Sequence, residues 1–289
     1  ALLAGASAVG SALLVPGRGA QAAPQAGSGP APARTAETTE GPYYFDAGKL
    51  RRDITEGHEG VPVTVHFTVL NPSGQPWPGA RVDIWHCNAQ GVYSGYAGQG
   101  DGRATGTKGQ TFLRGTQLSD AQGVVAFDSI YPGWYHGRTT HIHFKVFNGS
   151  QVVLTSQFFL PDTLSEYLYT QLPAYRRASL RDTLNSTDGI AIEAGQTVEG
   201  AVRESAGRYL IELTVVADPA ARPVPERMPA PPGGEDRPPG PPPEGLGGPG
   251  RRGPGGPSGG QALAGDARRD ALLPTAARKA AMMPPPPRG

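Results

Sequence analysis

Cysteine is almost absent from this chain of 289 residues: Cys87 stands alone, so no intramolecular disulfide can form. The fold must therefore rest on its hydrophobic core, together with a metal if one is bound. Set in an apolar stretch beside Trp85, Cys87 reads as a buried, inert thiol. An excess of one charge is also missing. A net charge of +1 leaves no basic footprint for nucleic acid, and the pairs Arg176-Arg177, Arg251-Arg252 and Arg268-Arg269 carry no interleaved aromatics. Long hydrophobic runs are lacking too. The apolar stretch over residues 1–15 is too short and too rich in Gly and Ala for a transmembrane helix, so stable membrane insertion is not expected.

Glycine and proline are plentiful, with 42 and 31 residues. They dominate residues 218–289, as in Pro238-Pro239-Gly240-Pro241-Pro242-Pro243 and Pro284-Pro285-Pro286-Pro287. That segment reads as a disordered tail with polyproline stretches, because it has little apolar surface to bury. Residues 1–38 read as a signal-peptide remnant and flexible leader, with an A-x-A site at Ala20-Gln21-Ala22. The expectation is a secreted or cell-envelope protein, with the start of its leader and any twin-arginine pair missing from the sequence. Between these ends, residues 39–217 show short β-branched and aromatic runs separated by Gly/Pro turns, which predicts an all-β sandwich. Strands are predicted over 61–70, 80–85, 124–127, 141–146, 152–160 and 208–216. Leu164, Leu168 and Leu172 recur at helical spacing and predict a short helix over 165–172.

The densest chemistry lies in Tyr135-His136-Gly137-Arg138-Thr139-Thr140-His141-Ile142-His143. In a strand, His141 and His143 face the same way, about 6–7 Å apart at their backbones, and can converge on one metal. His-x-His alone is weak evidence. A cupin would want a carboxylate soon after, yet Phe144-Lys145-Val146-Phe147-Asn148 contains none. A copper/zinc dismutase would want closely spaced further histidines and a disulfide, whereas His58, His66, His86 and His136 are scattered. A zinc hydrolase would need a third histidine or a carboxylate. Two phenols, Tyr93 and Tyr135, make up a set of two Tyr and two His instead. Phenolate is a hard anionic donor suited to a high-charge ion such as Fe(III).

The pattern extends beyond four residues. Glu40-Gly41-Pro42-Tyr43-Tyr44, then Val82-Asp83-Ile84-Trp85-His86-Cys87-Asn88 running to Gly91-Val92-Tyr93-Ser94-Gly95-Tyr96, precede Phe112-Leu113-Arg114-Gly115. Ile130-Tyr131-Pro132-Gly133-Trp134-Tyr135 leads into His141-Ile142-His143, followed by Leu154-Thr155-Ser156-Gln157-Phe158-Phe159 and Arg181-Asp182-Thr183-Leu184-Asn185-Ser186-Thr187-Asp188-Gly189. In these motifs, their order and their spacing, the chain from residue 39 to about 216 resembles the intradiol ring-cleavage dioxygenases, in particular secreted forms similar to the protocatechuate 3,4-dioxygenase β subunit. The resemblance implies a β-sandwich with long active-site loops and at most short helices. It also implies non-haem Fe(III) held by Tyr93, Tyr135, His141 and His143, with Tyr135 and His143 axial. A catecholic substrate and O2 would be the partners, and ring opening between the two hydroxylated carbons would give a cis,cis-muconate-type product. Tyr135 would be the phenolate that takes up a substrate proton. Arg138 matches an active-site arginine and Gln157 a glutamine lining the site, although a strand amide bonded to backbone explains Gln157 almost as well. Homo-oligomerisation is left open, as is the choice of catechol.

Two departures from the family pattern stand beside the ligands: His136 and Thr140 occupy positions where proline is common. Either a looser loop that holds iron less well or a basic role for His136 near the site would follow. The competing class is a non-catalytic secreted β-sandwich that binds a carbohydrate or cell-wall polymer, which has no need of the four ligands and the arginine.

Overall fold

Val63, Val65, Phe67 and Val69 alternate with Thr64, His66 and Thr68, and this period of two lays one apolar face along a strand, β1 (Pro62–Leu70). The computed structural model describes residues 31–99 and 105–223. The strands that follow are β2 (Arg81–Trp85), β3 (Arg114–Leu118), β4 (Val124–Ile130), β5 (His141–Asn148) and β6 (Gln151–Phe159). Helices α1 (Asp162–Gln171) and α2 (Gly189–Ala194) and a 3-10 turn (Gly195–Val198) lead to β7 (Ala201–Ser205) and β8 (Arg208–Val216). They form two four-stranded sheets, in the orders β4-β1-β8-β7 and β3-β2-β5-β6. Pairing is antiparallel except between β1 and β8, which run parallel.

The two sheets bury their inner faces against each other, as expected of a sandwich. Phe67 of the first sheet meets Phe144 and Phe158 of the second, with ring centroids 5.1 and 5.6 Å apart. Val82, Ile84, Ile142 and Val146 join Val65, Phe127, Ile211 and Val215 in the same buried cluster. Each fully buried side chain of this size contributes roughly 1.5–3 kcal/mol. Among the described residues, no helix is long and apolar enough to cross a membrane.

Two strands were not predicted. β3 carries Arg114, Gly115, Thr116 and Gln117, with no apolar alternation, yet it is paired on both sides. Its outer edge takes backbone bonds from the segment around Arg51, and a Cβ on Gly115 would come within 2.5 Å of Ile54 Cγ2. β7 is a largely exposed, charged edge strand. Helix α1 starts three residues earlier than predicted, directly after Pro161.

Residues Thr35 and Thr38, within the segment expected to be leader, bond to strands of the two sheets. Thr35 N–H donates to Val216 O and Thr35 Oγ1 accepts from Val216 N, while Thr38 N–H donates to Thr155 O. At the other end, Pro219 O and Ala221 O accept from Asn148 and Gln151. The rest of the leader and tail expectations fall outside the described residues.

Candidate metal centre

His141 opens β5 and His143 follows on the same face, while Ile142 and Phe144 turn into the core. On the neighbouring strands, register pairs His143 with Trp85, the last residue of β2, and with Gln157 of β6. Tyr93 comes from the long connection after β2, and Tyr135 from the connection between β4 and β5. Glycines dock these two loops. Gly91 has φ +78°, and a Cβ there would lie 2.1 Å from Trp134 O. A Cβ on Gly133 would lie 2.4 Å from Ala89 O. No side chain fits at either crossing.

The four predicted donors converge. Tyr135 Oη lies 2.9 Å from His141 Nε2, Tyr93 Oη lies 3.4 Å from it, and His143 Nε2 lies 3.1 Å from it. Thr139 O, which can only accept, sits 2.6 Å from His141 Nδ1, so that nitrogen carries the proton. His141 Nε2 therefore offers one lone pair to three polar neighbours, more than one neutral imidazole can satisfy. A cation among the four donors would take that lone pair together with the others. This donor set, two imidazoles and two phenols, fits Fe(III), and among the described residues no group of three or more His, Cys, Asp or Glu forms a competing site.

Burial sets the protonation of the set. Both imidazoles are held well below the ordinary histidine value, first by desolvation and then by neighbouring positive groups, Arg138 among them. They are neutral and ready to ligate. Desolvation raises the Tyr93 phenol well above its usual value and pushes Tyr135 up to about 12, so neither ionises near neutral pH without a cation. Aromatic rings enclose the site. Tyr43 stacks on Tyr93 at 4.3 Å and meets Tyr96 and Tyr135 edge-on. Trp85 stacks on the His143 ring at 4.8 Å with an interplanar angle of 12°.

Arg138 is anchored beside these donors. Its Nε donates to Asp188 Oδ2 at 2.9 Å and its Nη2 to Gln157 Oε1 at 2.6 Å. The Gln157 amide donates to Thr39 O at 2.7 Å. Both ends of this fully buried amide are thus engaged, and Gln157 acts as a support for the guanidinium and for the entering chain. His136 is half exposed and pairs with Asp182 at 2.9 Å, a surface role in place of a base at the site. Thr140 does not loosen its loop. Tyr169 Oη donates to Pro132 O, so the Thr140 hydroxyl donates to Tyr169 Oη, at 2.8 Å. Cys87 is buried as expected, and desolvation pushes its thiol up to about 12. Sequence reading gave no role to Thr139, Asn185 or Asp188. The one available signal was Asp188-Gly189, an N-cap residue at the start of a short helix.

The family described as Dioxygenase matches residues 39–172. A catechol 1,2-dioxygenase of Acinetobacter baylyi is 29% identical over 210 residues, covering 64% of this chain and 63% of that one. A protocatechuate 3,4-dioxygenase beta chain of Burkholderia cepacia is 32% identical over 139 residues, 42% of this chain and 57% of the relative. The chain thus spans less than two thirds of the length of these curated relatives. The solved intradiol ring-cleavage dioxygenase from Tetranychus urticae is 26% identical with a TM-score of 0.60, covering 66% of this chain and 97% of that one. The matched segment lies within the two-sheet fold and the motifs that run from Glu40 to Asp188, and over it the chain is similar to intradiol ring-cleavage dioxygenases.

Proposed function

We propose that this protein is a non-haem Fe(III)-dependent intradiol dioxygenase. It opens the ring of a catecholic aromatic between the two hydroxylated carbons with O2, giving a cis,cis-muconate-type product. The observation that carries this reading is the convergence of Tyr93, Tyr135 and His143 on His141 Nε2 within 3.4 Å at the start of β5. Bound Fe(III) would supply a Lewis-acidic centre that accepts both catechol oxygens and draws electron density from the ring.

The chain's own residues supply the rest. His141 and His143 donate neutral Nε2 lone pairs, and the Thr139 carbonyl fixes the tautomer of the first. Tyr93 is buried among Tyr43, Tyr96 and Trp85, which suits a phenolate that stays in place. Tyr135 is less enclosed and contacts only one of the two histidines, which suits a phenolate that accepts a proton at Oη from the incoming catechol. Arg138, fixed by Asp188 and Gln157, places a permanent cation where negative charge develops on the substrate, an effect worth roughly 3 kcal/mol for a preorganised donor. The surrounding aromatic cluster keeps water from the reacting ring. Export to the envelope or exterior, suggested by residues 1–22, belongs to the same proposal and would supply environmental aromatics as substrates.

The test is a visible absorption spectrum of purified protein, repeated after anaerobic addition of a panel of catechols, alongside iron analysis. A broad tyrosinate-to-ferric band that shifts with one catechol supports the reading and identifies the substrate class. Protein that stays colourless after reconstitution with iron overturns it and favours the non-catalytic binding sandwich.

A further inference from the structure

Asp188 joins two parts of the molecule that the chemistry needs in register. Its Oδ1 caps α2, accepting from Ile190 N at 2.9 Å and Ala191 N at 3.3 Å. Its Oδ2 accepts from Arg138 Nε and from Thr139 N, each at 2.9 Å. The carboxylate is 3% exposed, and all four bonds reach it from donors. Thr139 is pinned a second time by the same turn, through its hydroxyl, which lies 2.6 Å from Asn185 Oδ1. Asn185 is itself tied to Leu160 O and to the Asp162 carboxylate, and Arg181 holds that carboxylate from the other side. The Thr139 carbonyl set in place this way is the acceptor for His141 Nδ1.

We propose that Asp188 is a positioning residue with two outputs: it aims the Arg138 guanidinium, and through Thr139 it selects the Nδ1–H tautomer of His141. The inference rests on the proposed function, since both targets belong to that site. The geometry divides the carboxylate cleanly, with one oxygen for the helix and one for the site. Capping alone would leave Oδ2 free to face solvent. Here it is buried against a cation and a backbone N–H, a charge-assisted pair that a neutral residue cannot reproduce. Asn offers an acceptor to only one side, because its amide nitrogen is a donor and would face donors. Ser keeps a good helix cap but cannot span to Arg138.

The experiment compares wild type with Asp188→Asn and Asp188→Ser in the full chain. In iron-free protein, ¹⁵N NMR of the imidazoles should show His141 mainly as the Nδ1–H tautomer in wild type and as a mixture in both variants. In iron-loaded protein, kcat should fall roughly 100-fold, as expected for a catalytic group displaced by about 1 Å, with KM little changed. Both variants should melt below wild type, because the buried guanidinium loses its anionic partner, so kcat and the tautomer ratio are read at a temperature where each variant stays folded. A variant with wild-type kcat overturns the output to Arg138, and an unchanged tautomer ratio overturns the output to His141. If the wild-type chain takes up no iron and cleaves no catechol, the proposed function fails while the tautomer result still decides the role of Asp188.

Discussion

At the scale of single residues, the two histidines and two tyrosines are not equivalent. His143 is 1% exposed, stacked on Trp85 and overlain by Gly41, where a Cβ would lie 3.4 Å from its ring. If His143 ligates iron as proposed, His143→Ala removes a ligand that nothing nearby can replace, and metal analysis after purification should show iron largely lost. Tyr135→Phe keeps the ring packing and the other three donors but deletes the proposed proton acceptor. Its iron content should stay closer to wild type while turnover falls roughly 100-fold or more, the range for loss of a general base. Near-normal ring cleavage in both variants would refute the ligand assignment. The sequence displayed His141 and His143 through a period of two, and the resemblance of the surrounding motifs added Tyr93 and Tyr135. It hid the function of Trp85, since stacking across β2 and β5 depends on a register that composition does not encode.

Among the elements, the loop crossing at Gly91 and Gly133 brings Tyr93 and Tyr135 to one point. Gly133→Ala forces a Cβ against backbone at Ala89, where no side chain can yield. The cost should be roughly 1–3 kcal/mol in urea unfolding, with weakened iron binding because both phenols move. His86, directly after β2, makes a pH prediction. It is fully buried, with Nδ1 on Cys87 O and Nε2 on Ser129 Oγ, and desolvation lowers its value to about 4. In unfolded chain it titrates near 6.5, so between those values the unfolded state binds more protons than the native one. Stability should therefore fall as pH drops from 6.5 towards 4, by about 3 kcal/mol from this residue. Equilibrium unfolding at several pH values checks it, and His86→Gln should flatten the slope. The strands with clear alternation were legible in sequence. β3 was not, because it has no apolar alternation and its pairing, with β2 on one side and the segment around Arg51 on the other, is set by residues distant along the chain.

For the molecule as a whole, β1 and β8 lie parallel across most of the domain's length, and Thr35 closes onto Val216 beside them. The ends of the domain are thereby tied together around the sheets that carry the site. Ligand binding to the native state alone should raise stability, so Fe(III) loading should increase Tm in proportion to the logarithm of free iron. All four donors, Arg138 and their hydrogen-bonding partners lie between Thr39 and Asp188. Deleting residues 224–289 should accordingly leave kcat and the visible band unchanged. A loss of either on truncation would give the tail a part in the site.

The His141/His143 spacing and the sandwich class could be read along the chain, because each rests on residue chemistry and short-range periodicity, while the full donor set followed from the resemblance of the motifs in their order. That Thr35 and Ala221 are held by partners on distant strands could not be read along the chain. Of the two supports of Arg138, Gln157 was named from sequence but Asp188 could not be. Asp188 is a carboxylate 50 residues further on, held at the start of a six-residue helix. A long-range contact of that kind leaves no periodic trace in sequence, and it exists only once both sheets and their loops are assembled.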